Sequence, residues 1–335
     1  MKSRQKLCCH FFQFGIVLLL VLPAYAQRFS DWTVPVSLGP TVNSVAAEFY
    51  PFVSKDGLSI YFSSDRPGGY GGWDIYVSKR SSLAEPWGAP QNLGPAINSL
   101  YDEGASFISN DGHRLYFESN RPGGFGGGDL YVSRRHNKRD DFGWQSPENL
   151  GGGVNTASNE ATPWVYEDET TGITTLFFGS DRPGGPGPVG PNMPGVTGQQ
   201  GSDIYASIMQ PDETFGPATL VAELSSPFFD RHPAVTRDGL EIFFSSNRPG
   251  SVLNPMGQTS NDVWISTRST TSDSWSTPVN LGPIVNSNGP DAGASPSFDG
   301  TALYFQSVRP GNLSPFFDLW VTTREKLIGR EPELK

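Results

Sequence analysis

Cysteine is nearly missing from this chain. There are two among 335 residues, Cys8 and Cys9, side by side near the start. The rest of the chain therefore has neither thiol catalysis, nor cysteine-ligated metal, nor a disulfide to staple it. Histidine is scarce as well, with four copies. No H-E-x-x-H or comparable spacing occurs, and no G-x-S-x-G elbow, so the common zinc-hydrolase and serine-hydrolase motifs are excluded. Positive charge is in deficit: 24 Lys and Arg stand against 34 Asp and Glu, a formal net charge of −10. Nucleic acid and anionic membrane surfaces attract basic patches, so neither is an expected partner. Long helical stretches are lacking too, because 39 Gly and 29 Pro punctuate the chain.

The apolar run Phe14–Leu22 falls short of the roughly 20 residues that a membrane helix needs. Lys2, Arg4 and Lys6 precede it, and Ala24-Tyr25-Ala26 follows. These are the parts of a secretory signal peptide cleaved after Ala26. The expected organisation is a leader over 1–26, a single domain over 27–325 and a polar tail over 326–335. The protein is expected to be exported, periplasmic or extracellular, monomeric, and without a membrane span in the mature chain.

What the sequence has in abundance is a repeat. Ser63–Ser78 reads SSDRPGGYGGWDIYVS, and Glu118–Ser133 reads ESNRPGGFGGGDLYVS. Stretched copies follow at Gly179–Ser207, Ser245–Ser266 and Gln306–Thr322. A second phrase, W-x-x-P followed by L-G-P-x-V-N-S, begins at Trp32, Trp87, Trp144 and Trp275, with a decayed copy at Phe215. Between the phrases lie an acid, a short strand, an Asp-Gly turn and an aromatic strand such as Ile60-Tyr61-Phe62. Asp-Gly between β-rich runs is a strong hairpin signal. Adjacent apolar residues point to opposite faces of a strand, so each small sheet must be covered on both faces. Stacked propeller blades provide that cover. The expected fold is all-β: a five-bladed propeller of four-stranded antiparallel blades. Val34–Leu38 has no blade of its own, so it is expected to complete the last blade and close the ring, leaving no free edge.

The acid–x–x–P–x–x–S–x–D-G–x–x–L-Y-F–x-S-x-R-P-G-G…D-I-Y-V pattern resembles the WD40-like propeller repeat of the TolB kind, over Trp32 to Arg324. The resemblance implies an extracytoplasmic propeller that binds partner proteins. The N-terminal domain of TolB and the OmpA-like domain of some relatives have no counterpart in the sequence, so a Tol-system or wall-anchoring role is not carried over.

The expected rim gathers three residue types from every blade. The acids are Glu48, Glu103, Glu160, Asp230 and Asp291. The arginines are Arg66, Arg121, Arg182, Arg248 and Arg309. Asp74, Asp129, Asp203, Asp262 and Asp318 lead the D-I-Y-V strands. A slot filled in every blade suits charge-assisted bonds that pin loops better than an asymmetric catalytic pair. Blade-specific features are the insertions Pro186–Gln200, Ser251–Ser260 and Asn312–Phe317, which bring Met193, Met256 and Phe316 to this rim, and His232 on an inner strand. These residues are the binding candidates. No cofactor is expected, with structural Ca²⁺ on the rim the one cation that clustered oxygens would suit. The expected function is a non-catalytic scaffold that binds a protein or cell-envelope polysaccharide through its loop-bearing rim. The alternative is a carbohydrate-active enzyme, hydrolase or lyase, with carboxylates at the channel mouth.

Overall fold

The structure is a computed structural model that describes residues 28–187 and 201–327. The leader 1–26, Met193, most of the Pro186–Gln200 insertion and most of the tail lie outside the described residues. The described chain has twenty strands and no helix. A two-residue strand, β1 (Val36–Ser37), comes first. The first blade is β2 (Glu48–Val53), β3 (Ser59–Ser64), β4 (Asp74–Lys79) and β5 (Gln91–Asn92). The next three blades run from β6 (Glu103–Ile108) to β9 (Glu148–Asn149), from β10 (Glu160–Glu167) to β13 (Thr219–Leu220), and from β14 (Asp230–Val235) to β17 (Val279–Asn280). The fifth holds β18 (Asp291–Pro296), β19 (Ala302–Ser307) and β20 (Asp318–Thr323). Its fourth strand is β1, which pairs Val36 with Val321 and Ser37 with Trp320. The five-bladed ring and its closure by the N-terminal strand agree with the repeat count.

Strand chemistry explains the packing. Phe62, Phe117, Phe178, Phe244 and Phe305 on the aromatic strands are all 0% exposed, wedged between neighbouring sheets. Trp87, Trp144 and Trp275 are buried at the blade periphery. Arg80, Arg135 and Arg268 lie over their rings at 4.2, 4.3 and 4.2 Å, so this slot is blade packing rather than a ligand platform.

The inner strands differ from the sequence expectation. The first was placed at Pro51–Ser54, yet it begins at the acid, Glu48. Proline argues against a central strand, but these strands are inner edges and need not donate on their free side. Every inner strand carries a bulge at one position. The residue there has positive φ: Tyr50 (51°), Ala105 (48°), Thr162 (54°), His232 (59°) and Gly293 (62°). Only glycine adopts that region without strain, so four blades hold a strained residue on the channel wall.

Candidate functional site

The acid, arginine and serine of each repeat form one buried unit. Glu48, Glu103, Glu160, Asp230 and Asp291 are all 0% exposed. Arg66, Arg121, Arg182, Arg248 and Arg309 reach them at 2.9, 3.0, 3.1, 2.5 and 2.5 Å. Each guanidinium also donates to a crossover carbonyl, that of Val42, Ile97, Val154, Leu224 or Val285. Each acid accepts from the hydroxyl four residues before it, on Ser44, Ser99, Thr156, Ser226 or Ser287. Burial pushes Glu48 and Asp230 above the usual carboxylate range, while these hydrogen bonds and the arginines pull back. Carboxylates sealed in this way cannot touch a glycan, so the channel-mouth acids of the enzyme alternative are not these five. They are dispersed one per blade. Among the described residues no three His, Asp or Glu side chains converge to hold a metal ion.

The strand-leading aspartates hold the RPGG loops. Asp74, Asp129, Asp203, Asp262 and Asp318 accept the N–H of Tyr70, Phe125, Gly187, Val252 and Leu313. Met256 and Phe316 stand in solvent, 78% and 61% exposed.

A different set of residues, specific to single blades, meets where the inner strands begin. The first letters of the five RPGG motifs are Ser63, Glu118, Gly179, Ser245 and Gln306. Three of them accept the N–H of the positive-φ residue in the next blade. Gln306 does so for Tyr50 at 2.8 Å, Ser245 for Gly293 at 3.1 Å, and Glu118 for Thr162 at 2.8 Å. Glu118, on β7 (Arg114–Ser119), alone brings a charge to this slot. Arg231 from the fourth blade pairs with it at 3.4 Å. The arginine crosses the third blade at Gly179, where a Cβ would lie 2.6 Å from its Cγ, so the missing side chain is what lets it pass. Both partners use Oε2 of Glu118. Its Oε1 lies over Gly104, 3.2 Å from where a Cβ would stand. Burial raises the Glu118 carboxyl above its ordinary range; Arg231 and the Thr162 N–H pull it down, and the charge of Asp102 adds to the rise.

Beside this pair the wall is uneven. Phe49 packs on Trp73 at 4.8 Å and on Phe317 at 5.5 Å between ring centroids. The slots of Phe49 and Trp73 hold Gly104 and Gly128 in the second blade, and Ala161 and Ser202 in the third. The aromatic wall of blades one and five thus has only small side chains at the matching slots of blades two and three. Deeper in, Tyr50 lies 5.2 Å from His232. His232 is 6% exposed, bonds Ser245 Oγ through Nδ1 at 2.9 Å, and has no partner for Nε2. Burial first, then the charge of Arg231, holds its pKa well below the ordinary histidine value, so it is neutral at pH 7. With Pro51, Pro163 and Pro233 these side chains form a waist enclosing about 40 Å³.

Sequence reasoning put His232 on an inner strand but missed Glu118 and Arg231. The signal was present: the otherwise regular motif begins S, E, G, S, Q, and the slot after the inner acid reads Phe, Gly, Ala, Arg, Ala.

No protein-family model and no curated protein sequence matches the chain. Solved structures do. An α-L-arabinofuranosidase from Lactobacillus brevis superposes with TM-score 0.55 at 17% identity, covering 85% of this chain and 92% of its own. The α-L-arabinofuranosidase of Podospora anserina, solved with cellotriose, gives 0.51 at 11%, covering 90% and 99%. A thermostable family-43 glycoside hydrolase gives 0.54 at 12%, covering 87% and 93%. At such identities the likeness is one of fold. It corrects two expectations nonetheless: these neighbours are glycoside hydrolases and not TolB-like or WD40-like repeat proteins, which also overturns the non-catalytic, protein-binding scaffold inferred from that resemblance.

Proposed function

We propose that this chain is a carbohydrate-active enzyme that cleaves glycosidic bonds of a polysaccharide where its inner strands begin. The observation that carries the proposal is Glu118, a carboxylate outside the repeated ion pairs, raised by burial and with Oε1 unengaged beside a partly exposed aromatic wall. A carboxyl whose pKa is raised holds its proton more readily than a free one and can deliver it to a leaving oxygen. Phe49, Trp73 and Phe317 offer apolar faces for a sugar ring, while Arg231 and Tyr50 supply polar orientation. Hydrolysis needs a second carboxylate. Asp102, close enough for its charge to act on Glu118, fills that role. The glycoside hydrolases of similar fold, solved with cellotriose and xylotriose, support a saccharide as the ligand class.

Export with removal of 1–26 suits a polysaccharide substrate. Among the described residues no helix is long and apolar enough to cross a membrane.

Reducing-sugar release from arabinan, xylan, cellulose and pectin tests the proposal. The wild type should act on at least one, and Glu118→Gln should be slower by about 10²-fold or more, the typical worth of a positioned general acid. Unchanged thermal melting of the variant would separate lost chemistry from lost fold. No release from any polymer, or an undiminished Glu118→Gln enzyme, refutes it.

A further inference from the structure

The opposite end of the channel, at the Asp-Gly turns, opens into a funnel of about 700 Å³ contributed to by all five blades. The inner-strand slot below it holds Phe52, Phe107 and Trp164 in blades one to three, but Ala234 and Ser295 in blades four and five. The three rings form one cluster, with centroids 4.9 Å apart for Phe52–Phe107 and for Phe107–Trp164, and 5.8 Å for Phe52–Trp164. The floor is therefore aromatic on one side and recessed on the other.

The lip is positive, in a chain that is negative overall. Seven Lys or Arg side chains line the funnel against four Asp or Glu, while the whole chain carries −10. The acids are largely committed. Asp56 and Asp111 bind their own turns. Asp141 is buried between Lys79, Arg135 and Tyr61. Glu167 accepts the N–H of Asn110. Several cations are not committed. Lys55, Lys138 and Arg139 are exposed and make no ion pair among the described residues; Arg237, exposed as well, pairs with both carboxylate oxygens of the exposed Glu169 at 3.1 Å. Phe298 sits between Lys55 and Arg237, whose charged ends lie 4.7 and 4.5 Å from its ring centre. The ring face attracts each cation and holds both charged ends at the lip. Low-dielectric walls concentrate the field of such a cleft.

We infer that this funnel binds an anionic saccharide, one carrying carboxylate or sulfate groups, with Lys55 and, drawn from the exposed Glu169, Arg237 on the charged groups and Trp164 beneath the sugar ring. The inference rests on the glycan reading above for its ligand class, but it concerns a separate site. At the waist between the two mouths the open space falls to about 40 Å³, against about 700 Å³ in the funnel. Anionic glycan held at the turn end would tether the enzyme to its polymer while the other mouth works.

Calorimetry on the Glu118→Gln protein, which cannot consume the probe, provides the test. Tetragalacturonate, a heparin-derived sulfated tetrasaccharide and neutral xylotetraose are titrated separately. We expect at least one anionic probe to give heat that the Lys55→Glu, Arg237→Glu protein loses, and any heat from the neutral probe at the other mouth to be the same in both proteins; the responding probe tells carboxylate from sulfate. Binding should weaken by about tenfold or more between 50 and 300 mM salt, since exposed charges are screened over a Debye length of about 10 Å at 0.1 M. Lys55→Glu with Arg237→Glu, both on exposed turns, should weaken it at least as much and leave the rate on a short soluble substrate unchanged. No heat with either anion, or undiminished anion binding by the charge-reversed protein, overturns the inference. Loss of turnover in Glu118→Gln with any of those results would leave the catalytic proposal standing and this one refuted.

Discussion

A charge in this ring means different things in different slots. Glu103, sealed against Arg121, is structural. Removing one partner of a buried pair strands the other, so Glu103→Ala should cost about 3 kcal/mol in urea unfolding; a loss below about 1 kcal/mol would show that the pair is dispensable. Asp203 and Asp262 carry a different signature. Burial raises both to about 6, above the 3.8 of an ordinary aspartate. One oxygen of each is buried without a partner, which favours the protonated form. Their folded pKa exceeds the unfolded one, so folding takes up protons between the two. Their contribution to stability is full below about pH 4 and is lost as pH rises through about 6. Asp262→Asn should therefore melt at or above the wild type at pH 7.5, with the advantage shrinking by pH 5. A constant difference across that range would show that Asp262 does not titrate there. Glu118 shares the raised direction, but its placement beside the aromatic wall makes it the residue to test for chemistry.

At the scale of strands, much was legible. The Asp-Gly turns, the doubly apolar aromatic strand and the leftover Val34–Leu38 segment imply blades and a closed ring, because burial and hydrogen bonding allow few other arrangements. What was not legible is the bulge. Pro51 reads as a strand start, whereas tertiary context makes its strand an inner edge that begins three residues earlier. The bulge gives Tyr50 and His232 positive φ on the channel wall. The functional slots stayed hidden for a related reason: repeat grammar draws attention to what recurs, and Glu118 and Arg231 do not recur. β1 offers the test at this scale. Leu38 N–H bonds the Leu319 carbonyl at 3.0 Å, and Thr33 N–H that of Thr323 at 2.8 Å. Deleting 28–38 removes these bonds and bares the edge of β20. Sedimentation should then show oligomers or aggregates where the full chain gives a single species; an unchanged species would mean that the ring tolerates an open blade.

The whole molecule divides its labour along one axis. Blade interiors are nearly interchangeable, while the two ends of the channel are not. One end places a raised carboxyl by aromatic rings, and the other ends in a positive funnel. A narrow waist keeps them apart, so substitutions at either end should act independently on turnover and on anionic binding.

The strand that closes the ring also sets when it can close. Val36 finds Val321 only after the four intervening blades have been made, a contact of very long sequence separation and hence a late event in folding. Nothing in the blades themselves requires that seam to lie where it does. Phe29 already bridges Lys326, and Arg28 accepts the N–H of Leu327, so the two ends meet. A short linker there, with a new opening at the exposed turn Asp212–Glu213, would move the seam to the third blade. Such a circular permutant should fold to the same circular-dichroism spectrum and melt within a few degrees of the parent, with its slowest refolding phase reporting on the third blade instead of the fifth. A ring of this kind has a beginning only because a ribosome needs one.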